Sequence, residues 1–308
     1  MIKISKDNLT QICNEFYEKT KGFIKLDVCN AKEKRYIKDN LQRIITCKPK
    51  DFKKIIAEIK ANGLTHERLK KVFIGDDKYY SGYKKFSSKN TRIYNAYHLS
   101  TKLDVNVCPY CNRNYIHTVK SVNDKSTRPQ FDHFICKKKH PIFAMSFYNL
   151  IPSCSICNSS IKGQAKFYYE THIHPYFDDF NKVKKFNIDK QLLSLVNKED
   201  DFNIVFESKD SITTNEETKA DNHIKDFALE ALYNTHKDKV LELVDISRAY
   251  NEASFENLVN EFKNSTKIFK DENDVKRLML CHYIEDENID KRPLNKLVKD
   301  ISEELGLI

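Results

Sequence analysis

The chain has no run of ~18 consecutive apolar residues, the length a helix needs to cross a bilayer. Its first residues, Met1-Ile2-Lys3-Ile4-Ser5-Lys6-Asp7, lack the apolar stretch of a secretory signal, so the expected location is the cytoplasm. No Gly-x-x-x-x-Gly-Lys-[Ser/Thr] loop is present, so ATP handling of that kind, if it accompanies this chain's activity, is expected in another chain. Internal repeats and low-complexity tracts are absent as well. Tryptophan is missing and glycine is down to six, a lysine-rich, glycine-poor composition that reflects genome bias as readily as selection for DNA contact.

At 308 residues with 40% hydrophobic and 31% charged residues, the chain can bury one large core or a few small ones. The net charge of +9 is unevenly spread. Residues 1–100 carry 23 Lys+Arg against 11 Asp+Glu, residues 101–179 carry 10 against 6, and residues 180–308 carry 20 against 27. The first two thirds suit a polyanionic partner such as DNA, and the acidic last third would be repelled by one.

The expected fold class is α+β, mainly helical. Apolar residues recur at helical spacing in Ile12, Phe16 and Ile24, in Ile37, Leu41 and Ile45, and in Phe52, Ile55, Ile56 and Ile59. Pro49 and Asp51 mark a helix start, and Asn62-Gly63 before Thr65 marks a stop and a new N-cap. The cluster Tyr79, Tyr80, Tyr83, Lys84 and Lys85 reads as a core edge ahead of a site for phosphates or bases. A strand is expected over 202–206, helices over 219–244, 254–269 and 272–283, and a last helix after Pro293.

Between residues 104 and 165 the character changes to cysteine pairs, short apolar runs and turns. Nine cysteines is an odd count in a long chain, and four of them form Cys108-Pro109-Tyr110-Cys111 and Cys154-Ser155-Ile156-Cys157. Two Cys-x-x-Cys turns can give four thiolates to one tetrahedral Zn²⁺. With every ligand position filled, such a site is structural, and its binding energy folds a module with a thin core. Cys13, Cys29, Cys47, Cys136 and Cys281 fit no such spacing and are expected to be small apolar residues, as Tyr110 and Phe134 are expected in the core.

Inside or just past the cysteine bracket lie Gln130-Phe131-Asp132-His133-Phe134-Ile135, then Tyr148-Asn149-Leu150-Ile151-Pro152, then Cys157-Asn158-Ser159-Ser160-Ile161-Lys162-Gly163. In order and spacing these residues resemble the HNH family of the ββα-metal endonucleases, over about residues 104–166. The resemblance implies a metal-dependent phosphodiester hydrolase. His133 would be the general base, since a neutral imidazole accepts a proton from water at cellular pH. Asp132 and Asn158 would supply oxygen ligands to a catalytic Mg²⁺ or Mn²⁺, and Asn149 would hold the loop between the strands and orient His133. Strand alternation sends Asp132 and His133 to opposite faces unless the strand twists or bulges. Lys162, Arg113 and Lys137 are candidates for substrate phosphates, with Arg128 and the run Lys137-Lys138-Lys139 as weaker neighbours. For His172 and His174, surface or capping roles are favoured over metal binding.

The expected organisation is a basic helical region over 1–103, an HNH module with its four-cysteine zinc site over 104–179, and an acidic, mostly helical region over 180–308. The wording around Cys108, the stretch 143–154, His174-Pro175-Tyr176 and the tail 290–300 is similar to a narrower group, the PtuB-type nuclease subunits of Septu and retron-associated anti-phage defence systems. That resemblance implies a separate partner ATPase, to which the acidic third is suited. Two other readings stay open. One is a non-catalytic zinc-dependent module binding nucleic acid or protein, which has no use for Asp132, His133 and Asn158 together. The other is a standalone HNH restriction enzyme, which needs a sequence-reading domain that the N-terminal helices do not display.

Overall fold

The computed structural model describes residues 1–90, 92–120, 125–189, 196–249, 257, 260–262, 269 and 271–308. Over these the fold is α+β and mostly helical, with two small two-stranded antiparallel sheets. The expected helix over 254–269 lies almost wholly outside the described residues. Among the described residues, no helix is long and apolar enough to cross a membrane.

Two units make up the chain: the expected stretches 1–103 and 104–179 are each divided between them, and 180–308 lies wholly in one. One comprises Ile4–Val105 and Ile116–Phe177, the other Met1–Lys3, Asn106–Tyr115 and Asp178–Ile308. The first carries 31 Lys+Arg against 15 Asp+Glu and the second 22 against 29, so they are called here the basic and the acidic unit.

In the basic unit, α1 (Leu9–Thr20), α2 (Ala31–Thr46) and α3 (Phe52–Ala61) turn their apolar stripes inward, burying Ile12, Phe16, Ile37, Ile44, Ile45, Phe52 and Ile55. Asn30 starts α2 with a reciprocal cap: its side chain accepts the Glu33 N–H at 2.9 Å, and the Glu33 carboxylate accepts the Asn30 N–H at 3.0 Å. Gly63, at φ +69°, ends the stretch after α3, and Thr65 stands at the next N-cap without a side-chain capping bond. Short helices follow, α4 (His66–Leu69), α5 (Gly82–Phe86) and α6 (Ala96–Leu103). Strands β1 (Gln130–His133) and β2 (Leu150–Ser153) then pair in unbroken register from Gln130 opposite Ser153 to His133 opposite Leu150. A helical segment, Ile156–Lys162, comes directly after β2.

The helices and the strand pair share one core. Phe16 meets Phe147 at 5.7 Å between ring centroids and Phe86 at 5.4 Å, while Phe52 meets Phe143 at 4.4 Å. Phe143 and Phe147 belong to the connection between β1 and β2, so the N-terminal helices are the packing support of that connection. Truncating any one of these fully buried rings would cost about 3–5 kcal/mol.

In the acidic unit, β3 (Lys184–Ile188) pairs with β4 (Ile204–Ser208), two residues further along than the expected strand; β3 has too little alternation in Lys-Lys-Phe-Asn-Ile to have been foreseen. The expected helix over 219–244 is broken. Ala228, at φ +49°, separates α7 (Thr214–Asp226) from α8 (Leu229–Tyr233), and α9 (Lys237–Ala249) follows. The last described helices are α10 (Glu272–Leu280) and α11 (Asn295–Glu304). The turn at residues 108–111 is built into this unit: Tyr110 stacks on Phe227 at 4.5 Å, and the Tyr233 hydroxyl donates to the Cys111 carbonyl at 2.6 Å.

Candidate active site

Each cysteine pair sits on a tight turn whose amides point at sulfur. The Arg113 N–H donates to the Cys111 Sγ at 3.4 Å and the Asn114 side-chain amide at 3.7 Å, while the Cys157 N–H donates to the Cys154 Sγ at 3.4 Å. Asn112, at φ +50°, makes the first turn possible; asparagine tolerates this left-handed region better than most residues. The four sulfurs of Cys108, Cys111, Cys154 and Cys157 lie within 4.8 Å of one another and all four residues are buried. Tetrahedral Zn–S bonds of ~2.3 Å put sulfurs ~3.8 Å apart, so the cluster fits, and amide donors favour the thiolate form that a metal needs. The cluster can hold a structural metal such as zinc. Of the other cysteines, Cys13, Cys29 and Cys47 are buried as expected and Cys136 is half-buried, but Cys281 is exposed, because α10 ends there at φ +56°.

Beside β1 the basic unit opens a cleft of about 280 Å³, with Tyr83, Asp132, His133, Lys137 and Asn158 among its lining residues. Gln130 and Asp132 share a strand face by alternation and both line it. Phe131 and His133, on the opposite face, line it too, with no bulge in the register, so both faces of β1 border the cleft.

His133 is buried, at 6% exposure, and its Nε2 lies 3.0 Å from the Ala144 carbonyl oxygen. A carbonyl only accepts, so Nε2 carries the proton and Nδ1 presents a lone pair. Burial, reinforced by the nearby ammonium of Lys137, holds the imidazole pKa well below its ordinary value. It therefore stays neutral at cellular pH. Asn149, wholly buried, fixes the loop that offers this carbonyl. It accepts the Ile135 N–H at 2.7 Å and donates to the Ile135 and Phe143 carbonyls at 3.1 and 3.0 Å, one residue from Ala144.

Asn158 donates from Nδ2 to the Gln130 Oε1 at 2.7 Å, a bond that does not use its Oδ1; Ser159 donates to the same Gln130 oxygen at 2.8 Å. Gln130 was not singled out from sequence, although its period of two with Asp132 was the available signal. Lys162 faces inward. Its ammonium meets the Asp132 Oδ1 at 3.0 Å and the His133 carbonyl at 2.9 Å, and at 3% exposure it orients Asp132 in place of lying on an open phosphate-facing surface. Lys137 lies over the Tyr83 ring at 4.1 Å, and burial lowers its pKa to about 8 against the pull of Asp132. Arg128, another lining residue, packs over Tyr97 and Phe131.

Arg113 is elsewhere, in the acidic unit, donating to His236 at 3.0 Å and Thr235 at 3.3 Å. His172 and His174 are buried and not at the surface: His172 stacks on Phe167 at 3.8 Å and His174 packs beside Phe134 at 4.3 Å. Among the described residues, neither joins a cluster of metal-binding type. Tyr110 and Phe134 are core, as expected.

No family model matches the chain, and no solved structure matches it. A stretch of 73 residues is 36% identical to Protein ea31 of Escherichia phage lambda, covering 23% of this chain and 21% of the phage protein.

Proposed function

We propose that the protein is a metal-dependent endonuclease of HNH type that hydrolyses phosphodiester bonds in DNA. The observation that carries the reading is His133: a neutral, cleft-lining imidazole with Nε2–H committed to Ala144 and Nδ1 left as the basic nitrogen. The order strand, strand, helix around it, with Asn149 bracing the loop and a buried four-cysteine cluster alongside, supports the same reading.

In this mechanism Asp132 and Asn158 would hold Mg²⁺ or Mn²⁺, whose oxygen preference their carboxylate and amide match. When bound, the ion stabilises charge on the phosphate and on the departing 3′ oxygen. His133 takes a proton from water at Nδ1 as the water oxygen bonds to phosphorus and the P–O3′ bond breaks. Lys162 holds the Asp132 carboxylate, and Lys137 meets a phosphate oxygen at the rim. Zinc at the four cysteines fixes the start of the segment that carries Asn158. The +16 charge of the basic unit favours a polyanionic substrate, and the −7 of the acidic unit favours a partner protein, in our reading the ATPase of an anti-phage defence complex.

The test is cleavage of supercoiled plasmid by zinc-loaded protein with and without Mg²⁺ or Mn²⁺, comparing His133→Ala. Metal-dependent nicking that falls by about 10²–10⁴-fold in the variant is expected. Because burial keeps His133 neutral, the acid limb of the rate is expected below pH ~6.5. Inactivity of the native sequence with zinc retained and the neighbouring ATPase present would favour the non-catalytic binding module.

A further inference from the structure

An imidazole held by one hydrogen bond can still swivel about it, so something else must fix the direction of the His133 Nδ1 lone pair. The structure brings a residue from the N-terminal helices against that ring. The loop from Gly75 to Gly82 is closed by two glycines at positive φ, +75° and +48°. A Cβ at Gly82 would stand 2.1 Å from the Phe73 carbonyl oxygen and one at Gly75 2.4 Å from that of Ser81, so neither position has room for a side chain. Ser81, buried, has its Oγ 2.9 and 2.8 Å from the carbonyl oxygens of Phe23 and Val72, which ties the loop down. Tyr83 follows immediately, and its aim is set by this loop.

The Tyr83 ring meets the His133 ring at 4.5 Å and 71°, edge to face. Its hydroxyl donates to the Phe131 carbonyl at 3.4 Å, and burial pushes its pKa up to about 12, so it remains a protonated donor. The Lys137 ammonium sits 4.1 Å from the ring centroid, within cation–π range, and both residues line the cleft. One aromatic ring thus touches the His133 ring and a cleft-lining cation together.

We propose that Tyr83 is a positioning residue for phosphodiester hydrolysis, its ring blocking rotation of the His133 imidazole and holding the Lys137 ammonium over the cleft to meet a substrate phosphate. This rests on the hydrolytic reading above. It makes the basic N-terminal region part of the site and not only a surface for DNA.

The full zinc-loaded chain is assayed with Mg²⁺ on a defined DNA duplex, and the His133 ¹⁵N imidazole signal, identified by its loss in His133→Gln, is followed in parallel. Tyr83→Ala is expected to lower kcat by about 30–100-fold with KM changed less than ~3-fold, as misplacement of a reacting group does. It is also expected to shift or exchange-broaden the His133 signal. Tyr83→Phe, which keeps the ring, is expected to rescue both. Lys137→Met is expected to raise KM and to reduce the salt dependence of DNA binding by about one phosphate contact. If Tyr83→Ala does not fold, Tyr83→Leu keeps apolar volume without the aromatic face and carries the same expectation.

A Tyr83→Ala enzyme with native kcat and an unmoved His133 signal overturns the proposal while the nuclease reading stands. Equal losses in Tyr83→Phe and Tyr83→Ala overturn it too, by assigning the effect to the hydroxyl. A native protein that hydrolyses no DNA even with the neighbouring ATPase present, but whose His133 signal moves in Tyr83→Ala and not in Tyr83→Phe, upholds the ring's hold on His133 and overturns the nuclease reading.

Discussion

Among the described residues, each unit has one lysine–aspartate pair in which both side chains are buried, and the two are of nearly the same construction. In the acidic unit the Lys296 ammonium meets the Asp300 Oδ2 at 2.7 Å and the Asn181 Oδ1 at 2.8 Å, over the face of Phe186. In the basic unit Lys162 meets the Asp132 Oδ1 at 3.0 Å and the His133 carbonyl at 2.9 Å, over the face of Phe167. Exposure does not separate them, with side chains at 0% and 0% in one pair and 1% and 3% in the other. Their surroundings do. Asp300 has its second contact with the backbone N–H of Phe186 at 2.8 Å, so that pair pins helix α11 to strand β3. Asp132 belongs to the wall of a cleft beside a neutral histidine. Burial of an ion pair is therefore a poor guide to function, and what the carboxylate faces is a better one.

The largest effect expected from this contrast is at Lys296. Burial already lowers its pKa, opposed chiefly by Asp300, so replacement by methionine strands a carboxylate in the core. Lys296→Met is expected to lose about 3–5 kcal/mol in urea unfolding, with much of it recovered in Lys296→Met/Asp300→Asn. No recovery in the double variant would break the account of this pair as a structural one. A smaller loss, about 2–3 kcal/mol, is expected for Asn149→Ala, because three buried backbone groups lose their partner. Here activity is expected to fall further than stability explains, at temperatures where the variant is fully folded, because the Ala144 carbonyl that orients His133 is no longer braced. Activity tracking the folded fraction alone would reduce Asn149 to a loop staple.

How much of this was legible beforehand follows the range of the interactions. The cysteine turns are local and announced by their spacing, whereas the strand pair and the helical segment after it were expected only through the HNH resemblance. Asn149 was assigned through the HNH resemblance alone; its side chain bridges Ile135 and Phe143 across the loop. The inward turn of Lys162 was not legible, since helical spacing fixes a face but not what stands opposite it. Tyr83 could not be assigned because its contact with His133 crosses 50 residues of sequence; only Gly75 and Gly82 around it hinted at a constrained loop. Strand β3, broken by Asn187 and led by two lysines, is held by pairing with β4 more than by its own propensity. The embedding of 106–115 in the acidic unit rests on contacts such as Asn112 to the Lys296 N–H at 3.1 Å, far beyond any local pattern.

The smallest and most discriminating effect is expected at Lys162. Removing its charge leaves Asp132 without its ammonium, but the adjoining cleft lets water reach the carboxylate, so Lys162→Met should cost less than Lys296→Met, about 1–2 kcal/mol. The two variants should then part in their response to Mg²⁺. An ammonium at 3.0 Å competes with a divalent cation for the same carboxylate, so its removal tightens binding at Asp132, and binding to the native state alone raises stability by linkage. Thermal unfolding with increasing Mg²⁺ is thus expected to raise the Tm of Lys162→Met more than that of the native protein, while Lys296→Met responds like the native protein. Hydrolysis by Lys162→Met should still be impaired, because a carboxylate released from Lys162 binds the cation more freely but holds it less well aligned with His133. If both variants answer Mg²⁺ alike, Asp132 is no more a cation ligand than Asp300 is, and the difference between the two pairs disappears.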